Sequence, residues 1–240
     1  MSRTLHPSLW ATVTFLLLFA VPGFGQEVQS ARKQIANAST VGELHGIYKN
    51  SDNALVRRDA LQALTRIQDQ KRAGLGKKAA TQQNLEEQEK LVEFLNQGLA
   101  DESVSVVKET VRQIGNLRLE GYSGALADLF RSADRKYPGN QKEIQMEVIA
   151  ALGKIGGPDA RMVFREVLAQ GVANSMTAKT LRVIGELGDA ALTDAVASYA
   201  QRIDASLKAM PDTPENRPRT FKYQEALALA RSVETILLKK

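Results

Sequence analysis

The chain contains no cysteine. That excludes a disulfide framework, a thiol nucleophile and any thiolate metal site. Histidine is nearly as scarce: there are two, His6 in an N-terminal apolar segment and His45 on a short expected helix. One imidazole on a helix reads more simply as a surface or half-buried side chain than as a general base. Aromatics make up 5% of the residues, and the single Trp is Trp10. Beyond residue 25 only five Tyr and four Phe remain, which gives no stacking platform for single-stranded nucleic acid. The formal charge of +5 is too small for a strong phosphate footprint. Period-two alternation rich in β-branched residues is missing as well, so no convincing strand is expected.

The first 25 residues read as a secretory signal peptide. Arg3 and the free amine precede a thirteen-residue apolar run, Leu9 to Val21, which Pro22-Gly23 breaks before the small residue Gly25. The run is short of the roughly 20 residues that span a bilayer; an uncleaved anchor is the bland alternative. Without this segment the formal charge falls from +5 to +4, because Arg3 is its only charged side chain. A cysteine-free exported chain, periplasmic or secreted, fits a bacterial envelope. Export also removes the opportunity to meet nucleic acid. Asn37-Ala38-Ser39 matches the glycosylation acceptor pattern, a match common by chance.

What the chain has in quantity is one recurring helical phrase. Ile144–Ile155, IQMEVIAALGKI, carries Ile144, Val148, Ile149, Leu152 and Ile155 on one stripe. It stops at Gly156-Gly157-Pro158. Related phrases run over Val56–Ile67, Val106–Leu117, Met176–Leu187 and, most loosely, Lys222–Val233. The sixth position is apolar in all five: Leu61, Val111, Ile149, Leu181 and Leu227. The twelfth is too: Ile67, Leu117, Ile155, Leu187 and Val233. The ninth holds Leu64, Ile114, Leu152 and Ile184, but Ala230 in the last. Steps of 50, 38, 32 and 46 residues between phrases predict stacked helix pairs with variable loops. The pairs are expected at about 41–67, 84–117, 123–155, 158–187 and 189–238, in one domain covering 26–240.

An N-terminal helix is expected at Glu27–Ala36, and Thr40 to Glu43 has capping-box spacing for the next. Residues 69–83 are polar and basic, and read as a loop or frayed helix between units. Gly74-Leu75-Gly76-Lys77-Lys78 faintly suggests a phosphate-binding loop. It fails, because no glycine precedes at the required spacing, Lys78 replaces Ser/Thr and no strand leads in. A solvated basic linker is the simpler reading.

The phrases ALQALTRI, IAALGKIGGPDA and LRVIGELGDAAL resemble HEAT repeats, in particular the short bacterial type of the PBS-lyase-like proteins. The resemblance covers about 41–238, is close in the third and fourth units and loose in the fifth. It implies an all-α chain, an α-solenoid of about five stacked HEAT-like helix pairs whose second helices line a concave face. The family's Val-Arg start is present only as Val56-Arg57, so no regular arginine ladder is implied. Iron-binding relatives use His-Glu pairs, and none occurs here. Bilin- or heme-handling relatives need a cysteine for attachment. No cofactor, no metal and no catalytic residue is therefore expected.

Function follows from shape in such folds, and shape alone does not fix it. The leading expectation is a non-enzymatic exported module that binds or scaffolds an unknown protein partner. Its expected contact face is Arg57, Arg58, Lys108, Arg112, Gln145 and Arg182. One alternative is a regulatory or ligand-binding subunit of an envelope enzyme or transporter, which requires an apolar pocket with converging polar groups. Another is a peripheral binder of anionic surfaces through a basic loop, Lys71, Arg72, Lys77 and Lys78. The plain alternative to all three is a set of solvated charges. Acids at the fourth phrase position (Asp59, Glu109, Glu147, Glu225) and Arg112 and Arg182 at the seventh share a helix face. Ion pairs between neighbouring repeats are expected there.

Overall fold

The computed structural model describes residues 24–74 and 82–239, with side chains from 25–69 and 85–239. Eleven α-helices carry the described chain, and no strand occurs among the described residues. They are α1 (Phe24–Asn37), α2 (Val41–Lys49), α3 (Ala54–Gly74), α4 (Gln82–Leu99), α5 (Val104–Asn116), α6 (Ser123–Lys136), α7 (Gln141–Ile155), α8 (Gly157–Ala169), α9 (Ser175–Leu187), α10 (Thr193–Lys208) and α11 (Arg217–Leu238). No described helix is long and apolar enough to cross a membrane. The expected signal peptide lies outside the described residues up to position 23; α1 begins at Phe24.

Local chemistry sets the boundaries. Thr40 and Glu43 form the expected capping box: the Glu43 N–H donates to Thr40 Oγ1 (3.1 Å), and Glu43 Oε2 accepts from the Thr40 N–H (3.3 Å). Gly156 ends α7 at φ 73°, and Pro158 opens α8, where a missing N–H costs nothing. The residue after each twelve-residue phrase is left-handed three times: Arg118 (φ 52°), Gly156 (φ 73°) and Gly188 (φ 63°). After Arg118 and Gly188 comes a short 3-10 turn, Glu120–Tyr122 and Ala190–Leu192, at matching offsets. Arg118 is the one described non-glycine residue with positive φ.

The helices pack as neighbours in two rows. The second helices α3, α5, α7, α9 and α11 touch in that order. The first helices α2, α4, α6, α8 and α10 each pack on the second helix that follows them. The core runs between the rows, continuous from Ile35 to Leu237. The phrase predicts its inward positions well. Val111, Ile114, Ile149, Leu152, Leu181 and Ile184 are all fully buried, as are Leu61 and Leu64. The fifth phrase is the exception: α11 buries Tyr223, Ala226, Ala230, Val233 and Leu237, and leaves Leu227 only partly covered.

Contact between successive second helices follows a rule. The tenth phrase position of one helix meets the eighth of the next. Thr65 Oγ1 donates to Gln113 Oε1 across α3/α5. A Cβ on Gly115 would lie 2.8 Å from Ala151 Cα, and one on Gly153 would overlap Val183 Cγ1. Glycine is required because these helices approach backbone to neighbour. The last junction breaks the rule. Gly185 faces Val233 at 3.4 Å, the twelfth position rather than the eighth. α11 is thus displaced by four residues, about 6 Å or one turn, from the register of the others. The eighth-position residue, Leu229, instead lines a groove.

Candidate functional site

The six expected contact residues divide sharply. Arg57 is not a free surface cation. Its side chain is 12% exposed, and its guanidinium donates to Asp101 Oδ2 from Nε (2.8 Å) and to Oδ1 from Nη2 (3.0 Å). It also donates to the Ser51 and Asp52 carbonyls. Tyr48 OH donates to the same carboxylate (2.6 Å), the Ser103 N–H caps it (2.9 Å), and Tyr137 OH reaches the Asp101 carbonyl (3.1 Å). One buried acid therefore ties together α2, α3, the α4–α5 turn and the end of α6. Burial pushes the Asp101 carboxyl up, but the Arg57 and Tyr48 hydrogen bonds and the Ser103 N–H outweigh it and hold it below its ordinary value. Burial, with the adjoining Asp101 carboxylate, pushes the Tyr48 phenol up.

Gln145 also departs from the expected face. Its Nε2 donates to the Phe130 carbonyl (3.0 Å), so it fastens α7 to α6. Arg58, Lys108 and Arg112 stay on the second-helix row but are committed within it. Arg58 Nη2 meets Asp59 (2.9 Å), which also accepts from Arg32 of α1. Lys108 Nζ donates to Glu143 Oε2 (2.6 Å), and this ammonium holds the Glu143 carboxyl below its ordinary value. Arg112 bridges Glu109 of its own helix (2.6 Å) and Glu147 of α7 (3.1 Å). That is the expected seventh-to-fourth-position ion pair. Arg182, the equivalent of Arg112 two phrases on, is exposed and has no ion pair or hydrogen bond within the described chain. In regular register it would reach Glu225, the fourth position of the last phrase. The one-turn displacement of α11 leaves both unpaired in the same groove.

That groove, about 770 Å³, lies between the start of α7 and the first halves of α9 and α11. Lys142, Arg182, Lys222 and Glu225 line it, together with Ala178, Ala226, Ala228 and Leu229. A second hollow of about 570 Å³ continues it between α7 and α9. It shares Ser175, Ala178 and Arg182 with the first and adds Met146, Ala150, Lys154, Lys179 and Glu186. Reading the phrases for charge alone missed Lys142, Lys179 and Lys222. The tenth-position glycine stands in the fourth phrase as in the second and third, so it gave no signal that the last junction differs.

The other expected site also changes. Lys71 and Arg72 belong to the last turns of α3, not to a loop. Residues 69–73, DQKRA, hold no helix breaker before Gly74. Lys77 and Lys78 lie outside the described residues. His45 is buried under α4: its Nε2 pairs with Gln97 Oε1 (3.0 Å), its ring stacks on Phe94 (5.3 Å between centroids), and Glu93 lies 3.9 Å from Nδ1. It is a packing residue between α2 and α4. No cluster of three or more metal-ligating side chains occurs among the described residues. Compared with family models, curated proteins and solved structures, the chain matches none.

Proposed function

We propose that the chain is an exported, non-enzymatic α-solenoid of about five HEAT-like helix pairs that binds a protein partner on its second-helix face. One observation supports this most: five helices carrying the same phrase lie side by side in one row, and the row ends in a groove whose cations have no partner among the described residues. A row of stacked helices offers a long surface, and affinity comes from a few anchors on it. Photo-crosslinking in intact cells tests the reading, with p-benzoylphenylalanine at Met146 or Ala178 on the row and at Arg135 on the first-helix side. One protein recovered reproducibly from the row positions supports it. Recovery of none, or equal recovery from Arg135, overturns it.

A second reading, a ligand-binding or regulatory subunit of an envelope enzyme or transporter, draws on the groove's size, which falls in the small-molecule range. Its charged walls favour an anionic ligand in that case. Binding to anionic surfaces through Lys71, Arg72, Lys77 and Lys78 is tested by changing all four to Gln. Unchanged binding to anionic vesicles would remove it.

A further inference from the structure

We infer that the α7–α9–α11 groove seats an acidic polypeptide segment of the partner; this rests on the protein-binding reading and gives that partner its chemistry. Five cations face the two hollows, Lys142, Lys154, Lys179, Arg182 and Lys222, against two carboxylates, Glu186 and Glu225. Lys154 is held by Asn116 Oδ1 (2.6 Å); the other four have no ion pair or hydrogen bond within the described chain. The rest of the second-helix row behaves differently. Lys108, Arg112, Arg57 and Arg58 are each matched by an acid. Charge is balanced at the α3/α5 and α5/α7 junctions and left open from α7 to α11. An external acid completes the pattern.

The floor selects the kind of acid. Ala150, Ala178 and Ala226, with Leu229 and Met146, give the hollows a partly buried apolar lining beneath the exposed Lys142, Arg182 and Lys222. Small side chains let a peptide backbone descend between helices, with its carboxylates reaching cations on both walls. A flat bilayer surface reaches the rim but not this floor. Glu225 stands among the cations as a repulsive element that sets the acid's position along the groove.

Fluorescence anisotropy of the full chain with two labelled peptides tests this. One alternates Glu with Leu and Ala; the other carries Gln for every Glu. The Glu peptide is expected to bind at least about tenfold more tightly, and to weaken with salt. The double change Arg182→Glu/Lys222→Glu is expected to cost about tenfold or more, and Glu225→Gln to tighten binding a few-fold. These side chains are exposed, so thermal unfolding is expected to stay unchanged and serves as the folding control. Equal binding of the two peptides, or full binding by the double variant, overturns the inference. Binding of phosphatidylglycerol vesicles that the double change abolishes, with no peptide binding, reassigns the groove to lipid and overturns it too. A partner crosslinked from Met146 whose capture survives Arg182→Glu/Lys222→Glu sinks the acidic-segment inference alone. Capture of no partner from any position sinks the protein-binding reading itself.

Discussion

The α5/α7 and α9/α11 junctions join helices with the same phrase, and they are built differently. At α5/α7, Gly115 lets the helices meet at Ala151, while Arg112 and Lys108 reach Glu147 and Glu143. At α9/α11 the helices meet one turn later, through Gly185 and Val233. Arg182 and Glu225 then miss each other, and a groove opens above them. Register and the residues beside it together decide whether a charge on this row stabilises the protein or faces outward. Arg112 and Arg182 occupy the same phrase position, but Arg112 has Glu109 three residues before it and a neighbour in register, whereas Arg182 has Lys179 and a displaced one.

The comparison can be broken at its anchored end first. Asp101→Ala leaves the Arg57 guanidinium buried without its acid, a loss of about 3–5 kcal/mol. Chemical denaturation at neutral pH should show it as a large drop in midpoint. The sign with pH follows from the lowered Asp101 pKa. Its contribution is complete above the ordinary aspartate value near pH ~4 and is lost as pH falls toward the folded value. The gap between Asp101→Ala and the parent should therefore close on acidification. A gap that widens at low pH would contradict the network.

Next come the glycines. Gly115→Ala drives a methyl into the Ala151 backbone, where nothing flexible can yield, at about 1–3 kcal/mol. Gly185→Ala meets only an ordinary contact with Val233, so the gain in helix propensity remains, about 0.5–1 kcal/mol in the stabilising direction. Calorimetric melting of both variants should move in opposite directions. Equal shifts would show that the two junctions share one register after all.

Arg118→Gly is the third test. It replaces the one described non-glycine residue of positive φ at a position where Gly156 and Gly188 stand in related repeats. A left-handed arginine costs about 1 kcal/mol, so thermal stability should rise by that order. The smallest effect separates the paired cation from the open one. Arg112→Ala uncovers the buried Glu109 and removes the Glu147 link between α5 and α7, about 1 kcal/mol. Arg182→Ala should fall within about 0.5 kcal/mol of the parent. Urea titrations of the two side by side would resolve this.

Helices and their buried stripes were legible because local periodicity writes them. Leu61, Val111, Ile149 and Leu181 recur at one position and are all buried. The capping box at Thr40 and the stop at Gly156 are likewise short-range chemistry. What the sequence concealed depends on partners far along the chain. Arg57 looked like a family-type surface arginine until Asp101, 44 residues away, was found beside it. Gln145 looked outward because a glutamine beside the apolar stripe gives no sign of its acceptor, the Phe130 carbonyl on the neighbouring α6. The fifth phrase shares its pattern with the others, and no single-helix pattern encodes a one-turn slide against a neighbour.

The tenth-position contacts also have a mechanical consequence. Between α5 and α7 the touching groups include backbone atoms, which do not compress or rotate aside. Between α9 and α11 they are valine methyls at ordinary distance. Under a bending load the α5/α7 junction, seated on backbone, yields less than the α9/α11 junction, seated on side chains that can turn aside.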